Sequence, residues 1–299
     1  MRSLPRKIIS SILLLCLLVS LAGCGKKKQQ EISPVSRSDR SDSLSEPEEQ
    51  MFIEFAGHDY LVDQSVRKNE YDPALFVTDD GYLRYGDNSI VGVDVSSFQD
   101  EVDWNAVKAS GVDFVIVRIG YRGHTEGLLH VDNRFRENMR NAWNAGMKIG
   151  VYFYGQAVTV EEAEEEAEYV LELLHPYDYK ITLPVVYDWE HATWETRTVG
   201  TDKEVIMDCI TTFCSRMAGA GYEPMVYISC YMAYAEFDLS RIKDYKWWLA
   251  EWFMDDEREL PSFYYHYDML QYSSRGQVPG IDAEVDMNII MDYGEDNWK

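Results

Sequence analysis

The chain has 299 residues, 52 acidic against 28 basic, and a formal charge of −24. So acidic a chain is a poor nucleic-acid binder, because phosphate contacts need Lys and Arg, and it is repelled at long range by anionic polymers. A polymeric partner is then better held through uncharged groups, for which 21 Tyr and 8 Trp offer aromatic faces.

The N-terminus begins with Arg2, Arg6 and Lys7, followed by an apolar run from Ile8 to Leu21. That pattern predicts a secretory signal peptide over residues 1–23, too short to span a bilayer comfortably. Leu21-Ala22-Gly23-Cys24 resembles the bacterial lipoprotein cleavage box, which implies a lipidated Cys24 as the first mature residue. Two acyl chains on one cysteine suffice for stable anchoring, here expected at the extracytoplasmic face of the cell membrane. Residues 24–50 are rich in Ser, Lys, Glu and Asp and bury nothing, so they read as a flexible tether. Lys26, Lys27 and Lys28 would sit against anionic head groups. Losing Arg2, Arg6 and Lys7 takes the charge from −24 to −27. Cys209, Cys214 and Cys230 then remain, an odd set without metal-type spacing, expected as small buried hydrophobes.

Residues 51–89 read as a small appendage, with a hairpin over Leu75–Tyr85 turning at Asp80-Gly81. From Ile90 strand and helix alternate. Ile90–Val95 is a strand, and Asp103–Gly111 a capped short helix. Asp113–Gly120 is the second strand, followed by a helix with Phe135, Met139 and Trp143 at four-residue spacing. Lys148–Tyr154 is the third. Thr159 and Glu162 form a capping box for a helix whose Glu run, 161–168, reads as a solvated face. Leu183–Glu190 is the fourth strand, Thr201 with Glu204 caps the next helix, and Pro224–Ser229 is the fifth strand. Trp247–Trp252, Tyr267–Tyr272 and Glu284–Ile290 read as three more. Eight strands, the first five followed by helices, predict an α/β fold, a TIM-like barrel over residues 90–299. The rival, a doubly wound sheet, often carries a Gly-rich turn after its first strand, and none is present.

Asp188 and Glu190 lie two apart on a buried strand, so their Cα atoms are roughly 6.6 Å apart on one face. Two buried acids on one face resist ionisation, as glycoside hydrolysis requires of its acid. Barrel chemistry collects at strand ends. There the sequence offers Asp94, Tyr152 and Tyr154, Asp188-Trp189-Glu190, Trp248 and Trp252, Gln271, and Asp286 with Asn288.

Gly92-Val-Asp94-Val-Ser-Ser-Phe-Gln, Gly150-Val-Tyr152-Phe-Tyr154, Asp188-Trp-Glu190 and Val285-Asp286-Met-Asn288 fall in one order. Over residues 90–293 they resemble glycoside hydrolase family 25, the N-acetylmuramidase lysozymes. The resemblance implies a (β/α)5β3 barrel cleaving the β-1,4 bond between N-acetylmuramic acid and N-acetylglucosamine in peptidoglycan. It places the acid on Glu190 and the other site carboxylates on Asp188, Asp94 and Asp286. Tyr152, Tyr154, Trp189, Trp248, Trp252, Gln271 and Asn288 are then expected to bind substrate. Phe153 and Trp189 depart from residues common in the family and are expected to reshape the sugar subsites. Like charge from Asp188 and Asp286 is expected to raise the acid's pKa. Acetamido-assisted retention, with Asp188 orienting that group, is favoured over attack by a carboxylate or water. No metal or other cofactor is expected, since none of the six His lies two to five residues from another. A Ser nucleophile would lack its Gly-x-Ser-x-Gly elbow. A monomer is expected. The rival functions are a non-catalytic wall-binding lipoprotein and a hydrolase of another N-acetylated glycan.

Overall fold

The computed structural model describes residues 50–191, 196–294 and 298. The expected signal peptide, Cys24 and nearly all of the expected tether lie outside them. Two hairpins come first, β1 (Phe52–Phe55) with β2 (His58–Leu61) and β3 (Phe76–Asp79) with β4 (Tyr82–Tyr85). Both turn through two residues of positive φ, Ala56-Gly57 and Asp80-Gly81. This is the turn geometry that matches strand twist, and Asp-Gly announces it where Ala-Gly does not.

Next come β5 (Ile90–Val95), α1 (Trp104–Ala109), β6 (Phe114–Arg122), a short β7 (Leu129–Val131) and α2 (Phe135–Asn144). They are followed by β8 (Lys148–Gly155), α3 (Val160–Leu174), β9 (Val185–Trp189), α4 (Lys203–Gly219) and β10 (Pro224–Ser229). In place of a fifth α-helix stand a π-helical turn, Met232–Glu236, and a 3-10 turn, Leu239–Arg241. The last strands are β11 (Lys246–Ala250), β12 (Met269–Gly276) and β13 (Val285–Ile290).

Eight strands close into a barrel. β5, β6, β8, β9, β10, β11 and β12 run parallel, and β13 pairs antiparallel with both β12 and β5. The closing strand therefore departs from the all-parallel TIM pattern. Strand alternation sorts the side chains into two layers. Phe114, Ile116, Val186, Met225, Trp248, Met269 and Ile290 fill the inside of the barrel. A Cβ on Gly92 would come 2.3 Å from the Phe114 ring, so this position stays bare to admit it. The opposite parity packs outward with the helices: Val115, Val117, Phe153, Tyr187 and Trp189 join Val170, Phe213 and Met217.

Residues 51–89 cover the wall that lacks helices, burying Val62, Val66, Tyr82 and Leu83. The Leu83 N–H donates to the Tyr272 hydroxyl (3.3 Å), the Asp63 N–H to the Tyr265 hydroxyl (2.9 Å), and the Tyr71 hydroxyl to the Tyr267 carbonyl (2.5 Å). Helix α4 is capped by Asp202, not Thr201, and Glu162 accepts from the Val158 N–H rather than completing a box with Thr159. Within the Glu run, Glu166 is not solvated but fully buried, bonded to Arg122 at 2.7 Å. Removing one partner of such a pair leaves an uncompensated buried charge, typically about 3–5 kcal/mol.

Cys209 and Cys214 are buried as expected, Cys230 is half-buried, and all three are free thiols.

Candidate active site

Towards the C-terminal ends of the parallel strands the inward positions turn from apolar to polar. Phe114 and Ile116 give way to Arg118, Val186 to Asp188 and Glu190, Met225 to Tyr227, and Met269 to Gln271. Asp94 ends the same parity on β5. Because β13 runs the other way, its first residues reach this rim: Asp286 pairs with Asp94, and Asn288 with Gly92 and Gln271. All four predicted carboxylates thus belong to one end of the barrel.

Asp94 Oδ2 accepts from Gln271 Nε2 and Asn288 Nδ2, each at 2.8 Å. Those amides are themselves oriented. Gln271 Oε1 accepts from Trp252 Nε1 (2.8 Å) and the Tyr227 hydroxyl (3.1 Å), and Asn288 Oδ1 from Trp248 Nε1 (2.8 Å). An indole N–H only donates, so it fixes each amide oxygen and turns the NH2 groups onto Asp94.

This arrangement reassigns several residues expected to bind substrate. Trp248, Gln271 and Asn288 are buried beneath Asp94 and act as its support, with no open face. Trp189 is 1% exposed, on the outward parity, and its indole donates to the Ala157 carbonyl at 2.8 Å. Phe153 also points outward, stacked on Phe213. Neither departure from the family pattern faces the inside of the barrel. Trp252, 38% exposed, keeps an open face, and Tyr152 and Tyr154 are partly buried at the rim.

Burial lifts the Glu190 carboxyl to about 7 and that of Asp94 to about 6, the latter against its amide donors. Asp188 is pushed well above the usual carboxylate range by burial, then by the charges of Glu190 and Asp94, with Arg118 opposing. Asp286 rises for the same first reason, then through Asp94, Asp255 and Glu190. Asp94 and Asp286 face each other across the β5–β13 ladder, so the two acids titrate as a pair. Burial is the main cause that lifts Glu190, and like charge acts between it and Asp188. Asp188 Oδ1 is buried and has no hydrogen-bond partner among the described residues.

Sequence reasoning overlooked Arg118, although it continues the inward parity of Phe114 and Ile116. Its Nε donates to Asp132 Oδ2 at 2.8 Å, and the guanidinium lies between Phe98 and Tyr121, 5.1 and 5.4 Å from their ring centres. Phe98 is 79% exposed, an aromatic face at the rim in the 3-10 turn that follows β5. Among the described residues no group of three or more His, Cys, Asp or Glu side chains could hold a metal ion.

The profile of Glycosyl hydrolases family 25 matches residues 93–281, stopping short of Asp286. The autolytic lysozyme of Clostridium acetobutylicum is 30% identical over 200 residues, 66% of this chain and 54% of that protein. The chain thus spans about half the length of that relative. Lysozyme M1 of Streptomyces globisporus is 26% identical, covering 67% of each. Among solved structures, the Clostridium perfringens spore cortex lytic enzyme SleM aligns with a TM-score of 0.61 at 20% identity, over 70% of this chain and 69% of that one. A family 25 glycosyl hydrolase from Bacillus anthracis aligns at 0.57 and 22%, over 70% and 92%. With a profile matching well over half its length and a closed eight-strand barrel of the same fold, the chain belongs to glycosyl hydrolase family 25.

Proposed function

We propose that this protein is a peptidoglycan hydrolase that cleaves the β-1,4 bond between N-acetylmuramic acid and N-acetylglucosamine on a (β/α)5β3 barrel. The observation that carries the reading is Glu190, a carboxyl lifted by burial to about 7 beside a second acid, Asp188, with an unpartnered oxygen. A general acid works best when its pKa lies near the working pH. Glu190 then protonates the glycosidic oxygen as the bond to the anomeric carbon breaks. Asp188 Oδ1 is assigned to the N–H of the substrate's acetamido group, whose oxygen attacks the anomeric carbon with overall retention. Asp94 and Asp286 supply the field around the developing positive charge. Trp252, Tyr152, Tyr154 and Phe98 are assigned to the sugar faces.

Mass spectrometry of digested purified peptidoglycan tests the reading. Fragments with reducing-end muramic acid are expected. Reducing-end glucosamine would make the protein a glucosaminidase, and no product at all would make it a wall binder.

The same reading places the protein at the membrane through a lipid on Cys24, as a monomer. Cys24→Ser is expected to move it from the membrane pellet to soluble or unprocessed fractions without changing the specific activity of the purified protein. Unchanged pelleting of the Ser variant would assign the anchor elsewhere.

A further inference from the structure

The loop from β8 to α3 is held by a set of bonds that the chemistry above does not use. Glu166 Oε1 accepts from Arg122 Nε (2.7 Å) and the Gln156 N–H (3.1 Å), while Oε2 accepts from the Tyr187 hydroxyl (2.5 Å). Arg197 donates to the Gln156 carbonyl (2.9 Å), Trp189 to the Ala157 carbonyl (2.8 Å), and the Val158 N–H donates to Glu162 (2.8 Å). Four backbone atoms of residues 156–158 are thus fixed by side chains from α3, β9 and the segment before α4, and Arg122 of β6 holds Glu166 in turn. From this clamped loop the Gln156 side chain, fully buried, reaches the next strand end. Its Nε2 donates to the Gly155 carbonyl (2.8 Å) and the Glu190 carbonyl (2.5 Å), and its Oε1 has no partner among the described residues. The amide's bonding is directed entirely at those two carbonyls. Glu190 lies one residue beyond β9, where the strand ladder no longer holds the backbone.

We propose that Gln156, locked by Glu166 and Arg122, is a positioning residue that sets the backbone of Glu190 and so the aim of its carboxyl. The proposal rests on reading Glu190 as the acid. A catalytic group displaced by about 1 Å can lose on the order of 10²-fold in rate. The bond touches no substrate, so its loss should appear in kcat and not in KM.

Gln156→Met keeps the length and buried volume of the side chain but has no donor. Wild type, Gln156→Met, Glu190→Gln and the double variant are compared on a soluble glycan fragment. The expected result is a roughly 10- to 100-fold fall in kcat for Gln156→Met at unchanged KM. The double variant should be no slower than Glu190→Gln alone, because both changes act through one group. Should the Met variant not fold, Gln156→Asn decides: it keeps a polar amide in the pocket but falls one methylene short of the Glu190 carbonyl. The same loss in kcat is expected of it. A folded variant with kcat within about twofold of wild type, a rise in KM in place of the fall in kcat, or further loss in the double variant overturns the proposal. Full activity in Glu190→Gln would instead overturn the acid assignment, whatever Gln156 does.

Discussion

Glu190→Gln is expected to lose about 10²–10⁴-fold in kcat, the usual worth of a positioned general acid, while keeping a cooperative melting transition. The amide matches the carboxyl in volume, and the burial that lifts Glu190 to about 7 places no penalty on a neutral group. Wild-type kcat/KM should fall as pH rises through about 7, where Glu190 gives up its proton. The residual activity of the variant should lack that limb. The measurement is kcat/KM from about pH 4 to about pH 8 on a soluble glycan fragment, with limbs read as properties of the coupled carboxylates. A folded variant retaining more than about a tenth of wild-type activity would remove Glu190 from this role.

Stability should respond to pH in the opposite sense from a protein held together by ionised carboxylates. Folding raises Asp94 from 3.8 to about 6 and Glu190 from 4.5 to about 7, so the folded chain binds these protons more tightly than the unfolded one. Their contribution is complete below about pH 4 and is lost as pH rises through about 6 and then about 7. Asp188 and Asp286 act in the same direction. For Glu190 alone, after discounting for its partial exposure, the loss is roughly 1–3 kcal/mol. Asp286→Asn removes one of these buried ionisations and puts an amide donor next to Asp94. It is expected to lower activity yet raise the melting temperature, more at about pH 8 than at about pH 4. Urea or thermal melts of both proteins at the two pH values give the answer. A difference independent of pH, or larger in acid, would show that Asp286 does not titrate in the folded cluster.

The residues legible in the sequence are those whose role follows from local period. The apolar runs at Phe114–Arg122, Lys148–Gly155 and Val185–Trp189 are buried strands, and alternation alone puts Asp188 and Glu190 on the inner face. Strand direction is not local. Nothing in Val285–Ile290 says that this strand runs against its neighbours, which is why Asp286 acts from a strand's beginning. Hydrogen-bond partners are not local either. Trp248, Gln271 and Asn288 resemble a sugar platform by composition, and only their bonds to each other and to Asp94 reveal a support. Glu166 was masked by its neighbours, since all eight residues from 161 to 168 are Glu or Ala on a helix with a solvated side.

The antiparallel closing strand also dictates when the site can exist. Asp94 lies on the first strand of the barrel, yet it is held by amides 177 and 194 residues later in the chain. Contacts that distant must wait for a large loop to close, and such topologies fold slowly. A nascent chain ending before β13 has an open sheet with two unpaired edges, one of them β5 itself. It also has no Asp286 and only one of the two amides on Asp94. The barrel is therefore latent through most of its synthesis, and its acid cluster comes together in the same event that seals the last seam.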